Sequence, residues 1–121
     1  MMPTLFRVVS RDGERGRIDT TRPPLPQATA EATAAKLNAA YEKDGRLHWV
    51  IPVIDGLNRA EEALFAALLV SPGGFYVSGQ DVSAAKRLVH AEVAKLEDHG
   101  KDQPAHQRWW AEAIIKKGRA A

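Results

Sequence analysis

The sequence predicts an α+β fold, in which a small antiparallel sheet (a hairpin plus one further strand) has one helix packed on it and is completed by three C-terminal helices. Short extended segments lie in the first 55 positions, one of them, residues 46–53, with alternating apolar and polar residues, whereas apolar residues recur at helical spacing in most of the remainder. At 121 residues the chain is expected to form a single domain. Within it, residues 1–55 form a strand–strand–helix–strand unit and residues 56–121 a helical half. A single domain is expected because 55 residues are few for an independent core.

The first predicted element is a β-hairpin whose turn is marked by Asp12-Gly13. Apolar residues from Leu5 to Val9 predict its first strand, and a short extended segment from Glu14 to Ile18 predicts its second. Three prolines between positions 23 and 26 then enforce an extended stretch without backbone donors. An alanine-rich helix is expected to begin at Ala28 or Thr29, to run to about Lys43 and to end at Asp44-Gly45.

A third strand is predicted over residues 47–53, where alternate apolar positions indicate one buried face. The residues expected on that buried face are Leu47, Trp49, Ile51 and Val53. Pro52 cannot donate a ladder hydrogen bond, so this strand should lie at an edge of the sheet. An edge can accept a partner strand, but Pro52 and the charged hairpin favour protection against such pairing.

The helical half begins with a helix over residues 60–70, because Asn58 and Glu61 have the spacing of a capping box. The Ser71-Pro72-Gly73-Gly74 segment ends this helix, and residues 75–77 form a brief extended crossing.

A second helix is predicted from Ser78 to about Asp98, since apolar residues from Val82 to Leu96 form one stripe. Pro104 suits the first turn of a last helix, Ala105 to Lys117. If the sheet does not cover the Val82–Leu96 stripe, a homodimer would bury it.

Composition excludes several classes of protein. The chain has no cysteine, which excludes disulfides, thiolate nucleophiles and cysteine-ligated metals and favours a reducing, cytoplasmic location. No segment approaches the ~20 apolar residues of a membrane span, and residues 1–9 lack the features of a signal peptide. Neither membrane insertion nor secretion is therefore expected.

Catalytic and cofactor motifs are also missing from the sequence. Gly73-Gly74 with Gly79 lacks the Gly-Lys-Ser/Thr ending of a phosphate-binding loop. The four histidines match no strong metal-ligand spacing, and the serines lack a nucleophile-elbow context. The sequence therefore predicts a protein that is not an enzyme and that needs no cofactor or metal.

Trp109 and Trp110 lie side by side in the last predicted helix, where neighbouring side chains point about 100° apart. One indole is therefore expected to face the core and the other a surface. With Tyr76 and adjacent cations they form the predicted partner-binding site: Trp109, Trp110, Arg108, Lys116, Lys117, Arg119 and Tyr76. The predicted function is that of a small adaptor or inhibitor docking on a larger protein or nucleoprotein assembly. Small, Ala- and Arg-rich chains of this kind are common among bacterial mobile-element and phage accessory proteins.

Direct nucleic-acid binding is the alternative hypothesis. The formal charge is only +2, from 17 basic and 15 acidic residues, but arginines concentrate near the hairpin: Arg7, Arg11, Arg15, Arg17 and Arg22. These side chains, or the basic C-terminal helix, would neutralise phosphates in a salt-dependent way. The sequence leaves open whether the basic N- and C-terminal segments form one face.

Overall fold

The computed structural model describes residues 4–13, 16–71 and 73–114. The chain divides into two compact units, Met1–Asp55 and Gly56–Ala121. Within the described residues, each unit contains one three-stranded antiparallel sheet. The mixed helix and strand content agrees with the predicted α+β class, but the second sheet replaces part of the predicted helical half. No helix in the described ranges combines the length and apolar character needed to cross a lipid bilayer.

The first unit consists of β1 (Phe6–Asp12), β2 (Ile18–Asp19), α1 (Gln27–Ala40) and β3 (Arg46–Pro52). The sheet order is β2-β1-β3, so the predicted helix and third strand are confirmed. The predicted hairpin is confirmed only in its strand order: Asp12, expected in the turn, belongs to β1 and pairs with Arg46, and β2 is Ile18–Asp19 where Glu14–Ile18 was predicted. β3 lies at an edge, as its proline requires. One turn of 3-10 helix and a left-handed Gly45 (φ 70°) lead from α1 into β3.

Helix α1 packs on the face of the sheet that carries Val8 and Val50, against which Ala30 and Ala34 are buried. The helix therefore covers the even-numbered face of β3 and not the predicted odd-numbered face. Leu47, which was predicted to be buried, is 39% exposed. The physical reason is that both faces of this sheet carry fully buried residues, Val8 on one and Ile51 on the other. Alternation alone cannot choose between two buried faces.

The outer edge of β3 is capped by a side chain of α1. The Val53 N–H donates to the Leu5 carbonyl. In this register the backbone N–H and C=O groups of the odd-numbered residues of β3 bond to β1, and those of the even-numbered residues point away from β1 toward the open edge. Asn38 Oδ1 accepts from the His48 N–H (2.8 Å) and Asn38 Nδ2 donates to the His48 carbonyl (3.0 Å). The amide of Asn38 thus takes the place of a neighbouring strand at the middle of the edge.

The second unit consists of α2 (Arg59–Val70), β4 (Phe75–Val77), α3 (Gln80–His90), β5 (Ala94–Asp98) and β6 (Trp109–Ala113). Its sheet order is β4-β6-β5. The buried residues of this sheet, Val77, Ala94 and Ala111, share one face by register, and α2 and α3 pack on that side.

The capping box at the start of α2 is confirmed. The Asn58 side chain accepts from the Glu61 N–H at 2.8 Å, and the Glu61 carboxylate accepts from the Asn58 N–H at 3.0 Å.

Two predicted helices of this half are wrong. The second ends at His90 instead of Asp98, because Glu92 adopts a left-handed conformation (φ 65°). The Glu92 N–H donates to the Val89 carbonyl (2.9 Å) and the Val93 N–H to the Leu88 carbonyl (3.1 Å), which is a Schellman motif.

The last predicted helix, Ala105 to Lys117, is strand β6 over its described part. Pro104 precedes only one turn of 3-10 helix, Ala105–Gln107. Tryptophan is enriched in strands, and β6 is the central strand of its sheet, between β4 and β5.

Gly74 allows the segment before β4 to approach β6. Its φ is +85°, and a Cβ added there would lie 2.1 Å from the Ala111 carbonyl oxygen and 2.5 Å from Glu112 Cγ. The neighbouring Gly73 has a similar φ of +83° but no heavy atom within 4 Å of the added Cβ. A side chain at Gly74 would therefore meet both backbone strain and a steric clash, whereas a side chain at Gly73 would meet backbone strain alone.

Candidate functional site

Strand alternation places Trp109 and Trp110 on opposite faces of the second sheet. Trp109 lies on the same face as the buried Ala111, and Trp110 lies opposite Tyr76 across the ladder. Both indoles are half-buried. The two side chains diverge as expected, but they do so through the two-residue period of a strand.

Trp109 already has cations from its own chain. Lys86 Nζ lies 5.1 Å and the Arg108 guanidinium 4.7 Å from its ring centroid. Arg108 also donates to both carboxylate oxygens of Asp98, at 2.9 and 3.0 Å. That hydrogen bonding, together with the Gly100 N–H, lowers the pKa of Asp98 to about 2. Arg108 was predicted to bind a partner, but its guanidinium pairs with Asp98 and so links the end of β5 to the start of β6.

Tyr76 and Trp110 form the centre of an aromatic cluster on the other face. Their ring centroids lie 4.8 Å apart at an interplanar angle of 83°. His99 contacts Tyr76 edge to face at 5.5 Å and 90°, and its Nδ1 lies 3.1 Å from the Tyr76 hydroxyl. Tyr76 remains 40% exposed. We call this surface the outer face, defined by Tyr76, Lys95, Glu97, His99, Trp110 and Glu112.

Charged groups flank the aromatic cluster. The Trp110 Nε1–H donates to Glu112 Oε1 at 2.7 Å. Lys95 Nζ lies 3.7 Å from Glu97 Oε1 and 3.7 Å from Glu112 Oε2. His99 Nε2 lies 3.4 Å from Glu97 Oε2. One ammonium between two carboxylates leaves the outer face with a formal charge of −1 when His99 is neutral.

Four residues of the outer face were missed by the sequence analysis: Lys95, Glu97, His99 and Glu112. Each was assigned to a helix or to a connection, so no common face was expected for them. A signal was present in the alternation of Lys95 and Glu97 along one segment and of Trp110 and Glu112 along another.

The remaining predicted partner-binding cations, Lys116, Lys117 and Arg119, lie outside the described residues.

The arginines of the nucleic-acid alternative lie in the first unit. Arg7 donates to the Arg22 carbonyl, and Arg11 donates to the Gly13 carbonyl (3.0 Å) while its guanidinium lies 5.8 Å from the Trp49 ring. Arg17 is exposed and Arg22 is half-buried. Arg15 lies outside the described residues. Arg7 and Arg11 thus make contacts within their own unit.

Among the residues that the structure describes, no group of three or more His, Asp or Glu side chains is arranged to hold a metal ion. Comparison of the chain with protein-family models, with characterised proteins and with solved structures finds no match.

Proposed function

We propose that the protein is a non-enzymatic binding protein that docks on a partner protein through the outer face of its second sheet. The observation that carries the proposal is the perpendicular cluster of Tyr76, Trp110 and His99, in which a tyrosine stays 40% exposed. Exposed aromatic residues within a charged rim are typical of the residues that dominate binding energy at protein interfaces.

The cluster is held on a rigid support. Tyr76 and Trp110 are cross-strand partners, and the Trp110 indole is fixed by its hydrogen bond to Glu112. A partner that contacts rings already held in place loses less side-chain entropy on binding. The outer face therefore favours a persistent contact of defined geometry, as an adaptor or an inhibitor requires.

The charge of this face favours protein over nucleic acid. Two carboxylates against one ammonium repel a phosphate backbone. The hairpin arginines Arg7 and Arg11, which the nucleic-acid alternative needs, bond within their own unit. A contact centred on apolar ring surface is expected to withstand moderate salt, whereas phosphate binding weakens steeply with salt.

The test is affinity capture from a host lysate with the full chain as bait, at low and moderate salt and with nuclease treatment. Tyr76→Ala and Trp110→Ala should each lose a partner protein that the unaltered chain retains. Tyr41→Ala is the matched control, because Tyr41 is 38% exposed and also contacts a histidine ring, and it should retain the partner.

Circular dichroism of each bait checks that it is folded. Equal retention by all folded variants would overturn the proposal. Retained nucleic acid that elutes with salt would support the alternative function instead.

A further inference from the structure

The two adjacent tryptophans differ in what lies against their rings. Two cations lie over Trp109, Lys86 and Arg108. Within the described part of the chain the cation–π contacts fall on Trp49, Tyr41 and Trp109, and not on Trp110. Trp109 thus has cations of its own chain against its ring, whereas Trp110 lies beside the carboxylates of Glu97 and Glu112.

The carboxylates beside Trp110 retain capacity to accept hydrogen bonds. Lys95 Nζ lies 3.7 Å from both Glu97 Oε1 and Glu112 Oε2, which is an ion-pair distance but too long for a direct hydrogen bond. Glu112 Oε1 is occupied by the indole N–H, and Glu97 Oε2 lies beside His99. One oxygen of each carboxylate therefore remains able to accept from a stronger donor.

We infer that the outer face binds a cationic side chain, an arginine or lysine in a basic segment of the partner protein. The cation lies against the ring surface of Trp110 and Tyr76 and donates to Glu97 and Glu112. Aromatic rings attract cations through their quadrupoles, and guanidinium groups pair with carboxylates. This inference rests on the proposed function and specifies the class of partner.

Charge complementarity favours this occupant over others. An acidic segment would meet two carboxylates, and the single ammonium of Lys95 is already shared between them. A purely apolar segment would remove water from Glu97 and Glu112 without replacing its hydrogen bonds. A basic segment satisfies the carboxylates and the rings together.

The test titrates the full chain with acetyl-Gly-Arg-Gly-Arg-Gly-amide and follows the indole N–H signals by ¹⁵N NMR at low salt. The isosteric peptide with citrulline in place of arginine removes only the charge. We expect the arginine peptide to shift the Trp110 signal, to leave the Trp109 signal in place and to bind at least about fivefold more tightly than the citrulline peptide.

Glu97→Gln and Glu112→Gln should each weaken arginine-peptide binding about fivefold. Glu31→Gln, on an exposed position of α1, is the control and should leave it unchanged. Equal affinity for the two peptides, or a shift at Trp109 instead of Trp110, would overturn the inference.

Competition separates this inference from the proposed function. If a captured partner depends on Tyr76 and Trp110 but is not displaced by the arginine peptide, the face binds protein and the cationic class is wrong. If capture is unaffected by Tyr76→Ala and Trp110→Ala, the proposed function itself is wrong.

Discussion

His48 is a buried titratable group in the first unit. Its side chain is enclosed between α1 and the sheet, with 3% of the residue exposed. Nδ1 lies 3.3 Å from Asn38 Oδ1, and Nε2 is buried without a hydrogen-bond partner among the described residues. Burial lowers the pKa of His48 below its ordinary 6.5; the charges of Arg22 and Arg46 act in the same direction, and Asp12 opposes them.

Stability should therefore fall in mild acid. As the pH falls below 6.5, the ordinary pKa, the unfolded chain binds a proton at His48 before the folded chain does, so the free energy of unfolding decreases between pH 6.5 and the lowered folded pKa and levels off below it. Urea denaturation at a series of pH values between 8 and 5 measures this slope. His48→Gln should reduce the slope. An unchanged slope in His48→Gln would assign the acid sensitivity to other groups.

At the scale of elements, the approach of the α2–β4 connection to β6 depends on one glycine. Gly74→Ala would introduce a methyl group 2.1 Å from the Ala111 carbonyl oxygen at a positive φ. We expect this change to lower the free energy of unfolding by roughly 3 kcal/mol or more. Gly73→Ala, with a similar φ and open space, is the matched control and should cost only about 1 kcal/mol of backbone strain. Urea denaturation compares the two, and equal losses would show that the close contact relaxes without cost.

The elements that were predicted correctly carry local signals. The Asn58–Glu61 capping box predicts the start of α2 from two residues three positions apart. The end of α3 carries no such signal, because a glutamate occupies the left-handed position where glycine is usual. The apolar stripe then continues at helical spacing into β5, so periodicity favoured one long helix.

The candidate site was predicted in part for the same reason. Tyr76 and Trp110 stand out by residue type alone. Glu97 and Glu112 join them only through the β5–β6 pairing, a contact between segments that sequence periodicity does not report. A missed strand therefore conceals every cross-strand neighbour that it has.

At the scale of the whole molecule, the buried histidine and the outer face belong to different compact units. His48 and the Asn38 cap belong to Met1–Asp55, and the outer face belongs to Gly56–Ala121. A unit of 55 residues buries a smaller fraction of its surface on folding than a larger domain does and is marginal by itself. We therefore keep the prediction that the chain behaves as a single domain.

Native-state hydrogen exchange tests that prediction. We expect the most protected amides of β1 and of β6, one strand in each unit, to exchange with the same free energy of opening and with the same urea dependence. Two distinct values would show that the units are separate domains.

The Asn38 cap has a consequence for how the protein behaves outside its native conditions. β3 is seven residues long, and the amide that covers the middle of its edge comes from α1 and bonds to His48 itself. Because burial disfavours the charged form of His48, we expect its protonation to weaken the docking of α1 on the sheet and so to uncover the edge of the strand. A strand edge uncovered in this way is a template for cross-β growth between molecules. An acid elution step is therefore the stage of handling at which insoluble aggregates should form first.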